Sequence, residues 1–150
     1  MSATFLAAAT ARAADAAAKP HGARIWCVSD VHTDYEENLE WCRALAEGNR
    51  FRNDVIIVAG DLSNNPSTFR ATLQAFVDAF GTVFFTPGNH DLWVKGRRGL
   101  APPSPTDPPK TSLELMDDIR EVCKELGVIT TPAFAAGAVI APILSWHHES

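Results

Sequence analysis

Apolar positions along this chain follow two rhythms, short β-branched or aromatic runs and longer stretches at helical spacing. Residues 24–29, with Ile25, Trp26, Cys27 and Val28 at their centre, are a short apolar run that stops at Asp30, as a buried strand entering a loop does. Residues 35–47 place Leu39, Trp41, Cys42, Leu45 and Ala46 largely on one helical face, with Gly48 and Asn49 as the stop signal. Residues 54–61 form a near-continuous apolar run ending at Gly60 and Asp61, the pattern of a strand covered on both faces. Pro66 opens a second helical stretch carrying Phe69, Leu73, Phe76, Val77 and Phe80, which Gly81 closes. Residues 82–86 then read as a third strand running into Pro87, Gly88, Asn89, His90 and Asp91.

Strand, helix, strand, helix, strand is the signature of a parallel α/β sheet with right-handed crossovers, in which ligands collect at the carboxyl ends of the strands. Beyond it, prolines 102, 103, 105, 108 and 109 preclude regular structure and predict a surface loop. Thr111 or Ser112 caps a third predicted helix, bearing Leu115, Ile119, Val122, Cys123 and Leu126 and ended by Gly127 before a short strand near Val128. Residues 138–144 read as one more strand, ending at Ser145, Trp146, His147 and His148. There are no internal repeats.

Composition narrows the class. A chain of 150 residues, 46% hydrophobic and 21% charged, suits one compact globular domain and excludes disorder and fibrous architectures. A net charge of -5 argues against nucleic acid as a partner held by phosphate contacts. Lys95, Arg97 and Arg98 form a local basic patch, readable as ordinary solvated surface or as a local patch for phosphate contacts. Cys27, Cys42 and Cys123 are widely spaced, which suggests neither a zinc knuckle nor a disulfide framework, and all three read as small buried hydrophobes in a reducing, cytoplasmic compartment. No apolar run approaches the roughly 20 residues of a membrane span, so no membrane association is expected. The Ala-rich residues 1–22 read as an N-terminal extension, a frayed helix or a weak organellar transit peptide, ahead of a domain at 23–150.

Three motifs follow the three strands. Asp30 and His32 lie two apart at a strand end, where alternating side chains share a direction and grip one cation, though a capping Asp beside a surface His is the plainer alternative. Gly60 permits a tight turn that exposes Asp61 at the sheet rim, where the carboxylate binds a metal or merely caps the turn. Gly88, Asn89, His90 and Asp91 are four specified residues in a row, a far more specific signal.

With these motifs, over roughly residues 24–95, the chain resembles the calcineurin-like metallophosphoesterases, whose pattern is Asp-x-His, Gly-Asp and Gly-Asn-His-Asp, each after a strand. The resemblance implies a four-layer αββα sandwich, represented here by the first sheet and its crossover helices. It also implies that Asp30 and His32 hold a first metal, that Asp61 bridges two, and that Asn89 binds the second. His90 then faces the substrate, stabilising the phosphoryl transition state or protonating the leaving oxygen, with Asp91 orienting it through a hydrogen bond. Its imidazole suits proton transfer because the unperturbed pKa is about 6.5. Two cations about 4 Å apart offset the charge of a phosphoester and acidify the attacking water, and mixed oxygen and nitrogen donors favour manganese, iron or zinc over calcium.

The chain departs from the family in lacking the Gly-His-x-His motif, and only His21, His147 and His148 remain beyond the histidines already placed. The departure implies a truncated domain with a weakened second metal, and a sheet whose apolar face and edge need a partner or a further segment to cover them. The expected function is thus a metal-dependent phosphomonoesterase or phosphodiesterase, and the alternative a non-catalytic scaffold of the same fold that binds proteins. An unrelated nucleotide-binding module predicts a Gly-rich loop after the first strand, where this chain has Asp30, Val31, His32, Thr33 and Asp34.

Overall fold

Strands β1 (Ile25–Val28), β2 (Val55–Val58) and β3 (Thr82–Phe85) form a parallel sheet in that order, joined through helices α1 (Glu36–Ala44) and α2 (Pro66–Ala79). The computed structural model describes residues 22–94 and 111–145. Most of the N-terminal extension, Lys95, Arg97, Arg98, the proline-rich loop, His21, His147 and His148 lie outside the described residues.

Local chemistry accounts for the element ends. Asn65 caps α2 by accepting from the Ser67 and Thr68 amides, with Pro66 pre-set for the first helical position. Helix α3 (Ser112–Leu126) starts in a reciprocal capping box between Thr111 and Glu114 and ends at Gly127, whose φ of 72° suits a residue without Cβ. The strand predicted near Val128 is a single parallel bridge, in which Ile129 pairs with Phe84 on the outer edge of β3.

The strand predicted over 138–144 is shorter and has an unforeseen partner. Strand β5 (Ala138–Ile140) pairs antiparallel with β4 (Ala133–Ala135) and stops before Pro142. Ala136 and Gly137 both adopt positive φ, 49° and 80°, in the two-residue turn between them. Alanine is a poor turn signal at such a position, so the hairpin was not legible in the sequence.

The two faces of the sheet differ. Ile56, Val58, Val83 and Phe85 point into the helical layer and form one core with Cys42 of α1, Phe69, Leu73 and Phe76 of α2, and Leu115, Ile119 and Cys123 of α3. Each fully buried phenylalanine there contributes about 1.5–3 kcal/mol. The opposite face carries Ile25, Cys27, Ile57 and Phe84. The segment from Val139 to Ile143 lies beside Ile57 and Phe84, lining a shared apolar cleft. Toward β1 no described residue covers this face, and Ile25 is 43% exposed and Cys27 exposed. Cys27 is therefore not the buried hydrophobe expected from its apolar run: alternation turns it onto the open face at the sheet edge. Cys42 and Cys123 are buried, and burial pushes both thiols up to about 12. Among the described residues no helix is long and apolar enough to cross a membrane.

At the amino ends of the strands, buried Asp54 ties the three together. Its carboxylate accepts from the Arg24 backbone amide (3.0 Å), Arg24 Nε (2.8 Å) and Trp26 Nε1 (3.0 Å), while its carbonyl accepts from the Gly81 and Thr82 amides. Burial alone would raise the carboxyl pKa, but the Arg24 and Trp26 bonds outweigh it and hold the group below its ordinary 3.8. A carboxylate with a depressed folded pKa contributes stability above its unfolded pKa and loses it as pH falls through the folded value. Urea titrations are therefore expected to show wild-type stability dropping more steeply than that of Asp54→Asn as pH is lowered below about 4. Parallel pH profiles would contradict the assignment.

Candidate metal centre

The carboxyl ends of the strands meet on the opposite side of the sheet from Asp54, and all three motifs sit there. The loop after β1 lies along the loop after β2. Asp30 N donates to Gly60 O (3.2 Å), His32 N to Asp61 O (3.1 Å) and Thr33 N to Leu62 O (2.7 Å). Side chains brace the pair: Asn38 Nδ2 donates to the Val31 and His32 carbonyls, and Asp34 accepts from Ser63 Oγ (2.7 Å) and the Asn64 amide (3.1 Å). Buried Thr33 hydrogen-bonds Thr72 of α2 at 2.6 Å, anchoring the loops to the helical layer.

This bracing brings Asp30, His32 and Asp61 together, with one ligand atom of each within 4.8 Å of the others. The backbone carries a second signature. Asp30 (φ 56°), His32 (φ 48°) and Asp61 (φ 55°) all lie in the left-handed region, which among the described non-glycine residues recurs only at Asn49 and Ala136. Such conformations cost roughly 1–3 kcal/mol each and persist where surrounding structure imposes them, commonly at ligand sites. Two carboxylates and an imidazole at this separation fit a first-row transition ion: the donors are hard oxygens and one borderline nitrogen, and two formal negative charges balance a dication.

The third motif joins through two glycines. Gly60, at φ 75°, packs so tightly on Gly88 that a Cβ on it would overlap the Gly88 backbone nitrogen. A Cβ on Gly88 would strike the Asp61 carboxylate. Glycine at both positions lets the loops touch. Asn89 is exposed at the head of a 3-10 turn, His90–Leu92, and the His90 amide donates to Asp61 Oδ1 at 2.9 Å. The His90 ring meets His32 edge to face, centroids 5.2 Å apart, and lies 3.7 Å from the Trp93 ring.

Asp91 is fully buried. Its Oδ2 accepts from the Asp61 (2.8 Å) and Gly88 (2.9 Å) amides and its Oδ1 from Leu62 N (3.0 Å), so the carboxylate clasps the second and third loops. The resemblance implied a hydrogen bond from this carboxylate to His90. The side chain instead turns inward to backbone donors, and among the described residues only ring contacts hold the imidazole. Burial pushes the Asp91 carboxyl pKa up, helped by the nearby Asp61 charge, while the three amides pull against it. Sequence reading missed Asp34, Asn38 and Trp93. Only tertiary contact distinguishes them from ordinary loop and helix residues.

The family model for calcineurin-like phosphoesterases matches residues 23–136, spanning all three motifs. The chain belongs to that family. Family members are hydrolases acting on phosphoester bonds. Among curated relatives, the chain is 30% identical over 107 residues to the [acyl-carrier-protein] phosphodiesterase PptH of Mycobacterium tuberculosis, covering 71% of this chain and 30% of that protein. Among solved structures, the phosphopantetheinyl hydrolase PptH of Mycobacterium tuberculosis matches with a TM-score of 0.62 at 27% identity, over 82% of this chain and 43% of the other. The chain thus spans less than half the length of the relatives it matches.

Proposed function

We propose that this chain carries part of a metal-dependent phosphoester hydrolase centre, with Asp30, His32 and Asp61 holding a first cation and Asp61 and Asn89 a second. The observation that carries the reading is the approach of the Asp30, His32 and Asp61 ligand atoms to within 4.8 Å of one another. Bound manganese, iron or zinc would supply charge neutralisation of the phosphoryl group and acidification of a water. The chain's own contribution is positional. His90, held beside the cluster by the hydrogen bond its backbone N–H donates to Asp61 Oδ1, has an imidazole available to donate a proton to the departing oxygen. Asp91 keeps the loops bearing Asp61 and His90 in register.

Similarity to this phosphodiesterase makes a phosphodiester borne on acyl carrier protein, with a phosphopantetheinyl group, the first substrate class to try. The test is manganese binding by isothermal titration, paired with hydrolysis of bis(p-nitrophenyl) phosphate and p-nitrophenyl phosphate. The expected result is manganese-dependent release of nitrophenolate, abolished by EDTA, restored by metal and faster with the diester. A folded chain that binds no manganese would defeat the reading and favour the non-catalytic scaffold.

A further inference from the structure

His90 presents an orientation problem that its neighbours solve unusually. Among the described residues its ring has no hydrogen-bond partner, yet a proton donor must be held within a narrow range of angles to act. Two rings hold it: His32 meets it edge to face at 5.2 Å and 77°, and Trp93 covers it at 3.7 Å and 32°. Among the described residues Trp93 belongs neither to the hydrophobic core nor to the partly buried side chains packed against it. Its neighbour Leu92 is buried in the core, whereas Trp93 leaves the 3-10 turn in extended conformation and remains 49% exposed. It is also coupled to His90 through the backbone, its amide donating to the His90 carbonyl at 3.2 Å.

We propose that Trp93 is the positioning residue for His90, its indole confining the imidazole to the slot beside His32. The catalytic part of this inference rests on the hydrolase reading, while the orientation of the ring stands separately. An indole suits the task because its broad face, in close tilted contact, restricts rotation about both side-chain torsions without consuming either ring nitrogen. Both nitrogens stay available to a substrate, as a hydrogen-bonded imidazole's would not.

Two measurements test it. In the diamagnetic protein, the His90 ring-proton signals, assigned with His90→Gln, are expected upfield of their free position because they lie over the indole. That displacement should vanish in Trp93→Ala and persist in Trp93→Phe. In manganese-dependent hydrolysis, Trp93→Ala should lower kcat about 10- to 100-fold with KM and manganese affinity little changed, and Trp93→Phe should recover most of the loss. Absence of the upfield displacement in the wild type, or an unchanged kcat in Trp93→Ala, would overturn the proposal. A rise in KM alone would also overturn it, because it would make Trp93 a substrate-stacking surface. If the wild type shows the displacement but no turnover, the hydrolase reading fails and the positioning of the ring stands.

Discussion

Asp61→Asn is expected to weaken manganese binding by at least about 100-fold while leaving the fold intact. Asp61 provides the shared carboxylate of the proposed centre, and ligand loss should exceed the 10- to 100-fold typical of altering a supporting residue. Asparagine isolates the charge. It tolerates the left-handed backbone at φ 55° better than alanine does, and its side-chain oxygen can still accept the His90 amide. Isothermal titration reads the affinity and the urea midpoint reads the fold. Equal manganese affinity in the two proteins would mean that Asp61 is not a ligand.

Asp91→Ala should produce the largest loss of stability among single changes at the site, roughly 3 kcal/mol or more, because it strands three backbone amides at about 1–3 kcal/mol each. That is a large share of the roughly 5–15 kcal/mol holding a typical domain together. Asp91→Asn should fall between wild type and alanine: one oxygen can still accept from Asp61 and Gly88, but the amide nitrogen would face the Leu62 N–H, donor against donor. Urea denaturation of the three proteins measures the order. If Asp91→Ala proves as stable as wild type, the clasp between the loops has no energetic role, and the cost of burying the carboxylate offsets its bonds.

The periodic elements were legible because their signals are local. The β-branched run at 55–58, the spacing of Phe69, Leu73 and Phe76, and the Thr111 and Gly127 caps each depend on a few neighbouring residues, and the structure has these elements in the predicted order. The β4–β5 hairpin escaped because its turn is made by Ala136 and Gly137, where tertiary context imposes a conformation alanine does not favour. Cys27 was misjudged because apolar neighbours in sequence do not reveal which face of a strand is covered.

At the candidate centre the division follows the same physics. The sequence alone determined which chemistry was available: carboxylates, an imidazole and glycines directly after successive strands, which a parallel sheet must deliver to one rim. Only the tertiary structure decided that Asp30, His32 and Asp61 approach one another on strained backbone, that Asp91 turns to amides from another loop, and that Trp93 lies on His90. The first two relations depend on contacts between residues about 30 positions apart, set by how the loops pack, and the third on where a 3-10 turn aims two rings, and no local pattern of residue types encodes either.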